Sequence, residues 1–372
     1  MDLTGLPISE RPLPKASGLE GVVVADTRLS HVDGERGQLF IAGSRVEELA
    51  LSDSCHFEAV VTRLLELAAG EPQAGVRERL AKSRVSAFAR LQPCEHSLTL
   101  PDAMDALLAA TAQGSRASDP LSVLGALPVY VAAGARLRAG QAPIAPDPTR
   151  LTAQDFMTML GLPENLARAR ALDAYLVTVS DHGLNASTFA ARVVASTGSD
   201  VMPCVVAGLA ALKGPLHGGA PGPVLDMLDA TASVEPRKWL ENELAAGRRI
   251  MGMGHRIYRT RDPRALVFER ALTRLEAEDQ QKSGILARIA HARRVESAAE
   301  ALLSERHPER PLRANVEFYT ALLLEAIGIP RELFTATFAI GRCAGWLAHI
   351  EEQRRSGRLI RPAARYVGPL PD

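Results

Sequence analysis

Cysteine is scarce and scattered. The four present, Cys55, Cys94, Cys204 and Cys343, form no CxxC pair and no metal-ligand spacing. That excludes a disulfide scaffold and fits reduced thiols in a cytosolic protein. A charge excess is missing too. Lys+Arg and Asp+Glu balance at 43 each, so no overall field recruits nucleic acid or a membrane surface. Any anion must therefore be bound by local arginines. No apolar run spans a bilayer. The longest, Leu121 to Leu137, has 17 residues and carries Pro128, short of the roughly 20 needed, and reads as a buried helix. Met1 to Gly5 shows no basic region followed by an apolar core, so no signal peptide is expected and the expected location is cytoplasmic. Fixed-period repeats and low-complexity tracts are absent.

With 4% aromatics, packing falls to Ala, Leu and Val at helical spacing, so the fold class is mainly α. The chain has 372 residues, 47% of them hydrophobic and 23% charged, which suits an ordered protein of two domains. Val22-Val23-Val24 and Gln38-Leu39-Phe40-Ile41 read as strands, with Asp33-Gly34 as a turn signal, predicting a small N-terminal β-hairpin. Residues Leu166 to Val179 predict a helix ending near Asp181-His182-Gly183, with Gly183 as its cap. Asn185 or Ser187 caps the next helix. Further helices are predicted over Asn315 to Ile329 and Arg331 to Ser356, the second closed by Gly357. Between Pro203 and Pro223 the composition shifts to Gly and Pro, which marks a domain crossing. The expected division is a large helical domain over residues 1–213, a small domain over 214–322, and a return to the large domain over 323–372. A cleft between such domains is a common ligand site.

Two stretches concentrate chemistry. Leu212 to Ala220 sets His217 among glycines. Gly252 to Arg264 sets His255 beside a run of arginines. Glycine lets backbone approach a ligand, histidine moves protons near neutral pH, and arginine forks bind carboxylates or phosphates. His182 lies at a helix end. Glu317, between Val316 and Phe318, is either a carboxylate made more basic by an apolar setting or a solvated first-turn acid favoured by the helix dipole. Arg342 interrupts an apolar run, so it is either buried against an anion or snorkels to the surface. Arg361 sits in a C-terminal tail. The spacings of His182, His217, His255 and Glu317 (35, 38 and 62 residues) match no metal motif. Gly252-Met253-Gly254 opens like a dinucleotide loop, but Ile257 stands where the third glycine belongs.

As a set these residues resemble the citrate synthase family, over essentially the whole chain from Gly18 to Pro362. The resemblance is strongest at Pro143 to Pro148, Asp181 to Phe189, Leu212 to Ala220, Gly254 to Ala265 and Asn315 to Tyr319. It implies a two-domain helical homodimer that condenses acetyl-CoA with oxaloacetate and hydrolyses the thioester to citrate and CoA, as in the tricarboxylic acid cycle. The CoA thioester is a co-substrate, and no tightly bound cofactor, metal, nucleic acid or membrane partner is implied. By motif position, His217 resembles the donor to the thioester oxygen and His255 the residue that polarises the ketone. His182, Arg264 and Arg342 resemble the oxoacid clamp, and Arg361 the arginine that reaches the partner subunit's site. Arg259 resembles a CoA-phosphate contact, and Met251, Gly252, Met253 and Gly254 part of the adenine pocket. Two departures stand out. Glu317 occupies the position of the family's catalytic aspartate. Its extra methylene moves the carboxylate about 1.5 Å, and a displacement of about 1 Å can cost on the order of 100-fold in rate. Pro221-Gly222-Pro223 stands where the family continues with Asn-Glu. The same-class alternative is a 2-methylcitrate synthase using propionyl-CoA. The other is a paralogue that binds CoA or dicarboxylates with little turnover.

Overall fold

Sixteen helices and one small sheet make up the computed structural model, which describes residues 19, 21–114, 119–217, 221–254, 258, 260–278, 285–309, 312–364, 366, 368 and 369. The sheet comes first. Strands β1 (Ser30–Asp33), β2 (Gln38–Ile41) and β3 (Ser44–Arg45) pair antiparallel in that order, with Asp33 opposite Gln38 and Phe40 opposite Arg45. The predicted hairpin is present, but its first strand is not Val22-Val23-Val24. That run is irregular and mostly exposed, with Val22 at 55% and Val23 at 84%. A β-branched run becomes a strand when a partner edge faces it. Here β2 instead pairs with Ser30–Asp33 across the turn at residues 34–37.

The helices follow: α1 (Val46–Ala50), α2 (Phe57–Ala69), α3 (Val76–Phe88), α4 (Glu95–Leu98), α5 (Ala103–Gln113) and α6 (Leu121–Arg138). Next come α7 (Thr152–Leu160), α8 (Leu166–Val179), α9 (Ala186–Ala195), α10 (Val201–Lys213) and α11 (Pro221–Ala230). The series ends with α12 (Pro236–Ala245), α13 (Pro263–Glu278), α14 (Ile285–Arg306), α15 (Val316–Ile327) and α16 (Phe334–Ser356). Caps decide where several begin. Asn165, Asn185 and Asn315 each accept backbone N–H groups of the turn they open, which satisfies donors that have no helical partner. The Leu121 run is the buried helix α6, with Pro128 inside it. Helix α8 stops earlier than expected. Its cap is Ser180, not Gly183, because α16 intervenes: the Gly345 N–H donates to the Ser180 carbonyl at 3.0 Å. Pro221 opens α11, where its missing N–H is no loss. Among the described residues no helix is long and apolar enough to cross a membrane.

Helix α16 organises the core. It packs against α2, α6, α8, α9 and α10, and its Trp346 is fully buried. A second buried anchor lies away from it. Arg84 on α3 is 1% exposed and gives Nε to Asp155 Oδ2 at 2.6 Å, Nη1 to Thr152 Oγ1 at 3.0 Å and Nη2 to the Arg150 carbonyl at 2.8 Å. Asp155 Oδ1 accepts the Asp147 N–H at 2.9 Å. The Pro143–Pro148 motif is thus pinned to α7 by this pair.

Breaking a buried ion pair from one side leaves an uncompensated charge, which costs about 3–5 kcal/mol. Arg84→Ala is expected to lower stability by that amount, read as a lower urea midpoint with an unchanged slope. A loss below about 1 kcal/mol would remove this pair from the anchors of the fold.

Candidate active site

Three segments far apart in sequence meet around Arg342. The first is the α8–α9 turn. Asp181 and His182 are buried there, and His182 Nε2 lies 3.0 Å from the Tyr258 hydroxyl with the rings edge to face at 5.8 Å. The second is the start of α13. Asp262 holds Arg264 in a fork, Nε to Oδ1 at 3.0 Å and Nη2 to Oδ2 at 2.8 Å, and the Arg264 guanidinium lies 5.9 Å from the Tyr258 ring centre. The third is α16, which carries Arg342 itself.

Arg342 does not snorkel. It is 1% exposed, donates Nε to the Val179 carbonyl at 2.7 Å, and lies 4.7 Å above the Phe338 ring. Burial pushes its pKa down to about 10, against the pull of Asp181, so it stays charged at neutral pH. Among the described residues Nη2 has no hydrogen-bond partner. A buried guanidinium with an open donor is built to meet an anion.

His217 stands beside the α9 cap. Its Nε2 is 2.8 Å from Ser187 Oγ, which also lies 2.8 Å from Asn185 Oδ1 and accepts Trp346 Nε1 at 3.3 Å. Burial, helped by the Arg342 charge, pushes the imidazole pKa down to about 4. His217 is therefore neutral at physiological pH. The Ser187 hydroxyl has one proton to give. That proton goes to Asn185 Oδ1, which can only accept, so the neutral ring carries its proton on Nε2 and donates it to Ser187 Oγ.

Glu317 sits in the first turn of α15. Burial raises its pKa, and Asp262 adds to the effect while Arg264 opposes it. The apolar-setting reading of this carboxylate is the one the structure supports. The Met251–Gly254 strap is tied to the residues that open this helix. Gly254 N–H donates to the Arg313 carbonyl at 2.7 Å, Asn315 N–H to the Gly252 carbonyl at 2.8 Å, and Asn315 Nδ2 to the Gly254 carbonyl at 2.8 Å. Gly252 (φ +75°) must be glycine there, since a Cβ would stand 2.9 Å from Val224 Cγ2 and 3.0 Å from Phe318 Cβ. One residue, Asn315, thus caps the Glu317 helix and holds the strap.

Not every candidate converges. Arg361 is exposed on the extended tail at 357–364, which is held by Gln353 Nε2 on the Arg358 carbonyl and by the Ile360 N–H on Ser196 Oγ, both at 3.0 Å. His255 and Arg259 lie outside the described residues, as do Gly218, Gly219 and Ala220. Sequence reasoning missed Tyr258, Asp262, Ser187 and Trp346 as partners. The first three lie within the quoted motifs, so the signal was present without its use. Trp346 had only its helical spacing from Arg342.

The family described as "Citrate synthase, C-terminal domain" matches residues 18–363. The chain belongs to the citrate synthase family. It is accordingly an enzyme, an acyltransferase. A "putative citrate synthase 2" of Mycobacterium tuberculosis is 39% identical over 366 residues, covering 95% of this chain and 93% of the relative. A 2-methylcitrate synthase from the same species is 34% identical, covering 98% and 93%. Among solved structures, the citrate synthase of Thermotoga maritima aligns with TM-score 0.79 at 32% identity, covering 95% of this chain and 96% of that one. The Thermoplasma acidophilum enzyme, in ternary complex with carboxymethyl coenzyme A and oxaloacetate, aligns with TM-score 0.83 at 27% identity, again covering 95% and 96%.

A citrate synthase family site with a neutral His217 makes a pH statement. The folded pKa, about 4, lies below the ordinary 6.5, so the unfolded chain binds the proton first as pH falls. His217 is expected to cost stability progressively between about pH 6.5 and about pH 4, and nothing above that window. An NMR titration is expected to find its ring neutral from about pH 8 to about pH 5. An apparent pKa near 6.5 would place the ring in water.

Proposed function

We propose that this enzyme condenses an acyl-CoA, acetyl-CoA first, with oxaloacetate and hydrolyses the product thioester to release citrate and CoA. The observation that carries the reading is the buried Arg342 guanidinium, with its open Nη2, placed electrostatically within reach of a neutral His217. A dicarboxylate with a ketone calls for fixed forks, which both anchor and orient it. Arg342 and Arg264 are assigned to its carboxylates, with His182 beside them. Glu317 removes the α-proton of the acyl group. His217 is assigned to the thioester oxygen, where an imidazole N–H steadies the enolate as it forms. The carbanion then adds to the ketone carbon of the oxoacid, and the ketone oxygen takes a proton. Water finally cleaves the thioester and CoA leaves as the thiol. His255 is assigned to the ketone by its family position.

The strap Met251–Gly254 and Arg259 are assigned to the CoA end. Because Asn315 ties that strap to the Glu317 helix, CoA binding and base placement act together. The division into residues 1–213, 214–322 and 323–372 is retained, as is a cytoplasmic homodimer in which Arg361 completes the partner's site. The exposed, extended tail that bears Arg361 supports that assembly. The citrate-forming reaction places the enzyme at the tricarboxylic acid cycle. A second acyl donor, propionyl-CoA, is favoured by the likeness to a 2-methylcitrate synthase.

Thiol release from acetyl-, propionyl- and butyryl-CoA in the presence of oxaloacetate tests the reading. Glu317→Gln is expected to lower kcat about a thousandfold with binding retained. Equal turnover by wild type and this variant would remove Glu317 as the base. Arg342→Lys keeps the charge but loses the fork, so oxaloacetate affinity is expected to fall about tenfold or more. Unchanged calorimetric affinity would take Arg342 out of the clamp.

A further inference from the structure

Arg342 has a buried competitor for its substrate. Asp181 is fully buried and its Oδ1, like Arg342 Nη2, has no hydrogen-bond partner among the described residues. The two opposite charges feel each other, yet no salt bridge joins them. The reason lies along one face of α16. Arg342, Gly345 and His349 fall at spacings of three and four residues, which stacks them on one side of the helix. Asp181 lies over the middle of that row. A Cβ on Gly345 would stand 2.6 Å from Asp181 Oδ1, so only glycine admits the carboxylate there.

Asp181 is held from the far side. Its Oδ2 accepts Ser30 Oγ at 2.5 Å and His349 Nε2 at 3.2 Å. Ser30 Oγ in turn accepts the Gly183 N–H at 2.8 Å, which closes the turn around His182. His349 cannot turn away. Its Nδ1 is 3.0 Å from Arg192 Nη1, and a guanidinium only donates, so Nδ1 must accept and the ring proton sits on Nε2. Arg192 is fixed by Glu352 Oε2 at 2.6 Å and Gln353 Oε1 at 2.9 Å. The groups facing His349 are thus Asp181 from the α8–α9 turn, Arg192 from α9, and Glu352 from its own helix.

The geometry points to His349 as a positioning residue that keeps Asp181 from pairing with Arg342, and so leaves the Arg342 guanidinium for the carboxylate of the oxoacid. This rests on the reading of Arg342 as an oxoacid clamp. Without the His349 donor, a buried carboxylate under-supplied with hydrogen bonds swings one helical turn to the open Nη2 and neutralises the clamp. Arg192 and Glu352 act one step further back, by fixing the ring's tautomer.

Two substitutions separate the ring's contacts. His349→Asn keeps an acceptor near the Nδ1 position for Arg192 but loses the donor to Asp181. His349→Gln carries an amide donor to the Nε2 position and keeps Asp181. Calorimetry with oxaloacetate is expected to show affinity about tenfold or more weaker for H349N and within about threefold of wild type for H349Q. The double variant D181N/H349N, whose released side chain has no charge, is expected to regain most of the affinity. Equal loss in both single variants, loss in neither, or no recovery in the double variant overturns the proposal. A measurement on the wild type covers the case in which a variant fails to fold. Nitrogen NMR of labelled histidine is expected to find His349 neutral, with Nε2 protonated and Nδ1 bare. A protonated ring or an Nδ1–H tautomer overturns the proposal. Wild type that binds no oxaloacetate defeats the substrate reading instead, and the ring's tautomer then decides this one.

Discussion

A full positive charge at the centre of the protein, on Arg342, is the constraint that the surrounding structure answers. Taking a guanidinium out of water is costly unless hydrogen bonds and a counter-charge replace the lost solvent. The Val179 carbonyl, the Phe338 ring and the nearby Asp181 charge supply only part of that replacement. The low pKa of Arg342, about 10, records the shortfall. So does the low pKa of His217, which stays neutral partly because Arg342 is charged.

The contrast with Arg84 sharpens the point. Both arginines are equally buried, yet Arg84 gives three of its nitrogens to acceptors on α7 and the segment before it. That pair is closed and structural. Arg264 has a bidentate partner of its own in Asp262. Arg342, by contrast, keeps one nitrogen without an acceptor among the described residues. The protein carries the strain of the open arginine on a well-packed helix, α16, whose His349 is paired on both ring nitrogens, with Asp181 and Arg192.

A second coupling runs through Asn315. Its side chain caps α15 and grips the strap before His255, so the carboxylate assigned as base and the loop assigned to CoA are fixed by one residue. Pre-organisation of this kind matters because positional errors of about 1 Å are enough to slow such chemistry. The glutamate at 317, longer by a methylene than the family's aspartate, must be accommodated within that same frame.

Features that depend on neighbours within a turn were legible in the sequence. The α period, the cap at Asn185 and the buried α6 all follow from residues a few positions apart. The stretches Leu212 to Ala220 and Gly252 to Arg264 were equally plain, since glycines, histidine and arginine concentrate there. The tertiary structure decided everything that needed distant partners. The hairpin took Ser30–Asp33 over the more β-branched Val22–Val24 because β2 offered its edge there. Arg342 turned inward because α8 presented the Val179 carbonyl. His349 acquired a fixed tautomer from Arg192, separated from it by 157 residues. Burial, charge state and tautomer are properties of an environment, and a sequence pattern with a reach of one helical turn does not contain them.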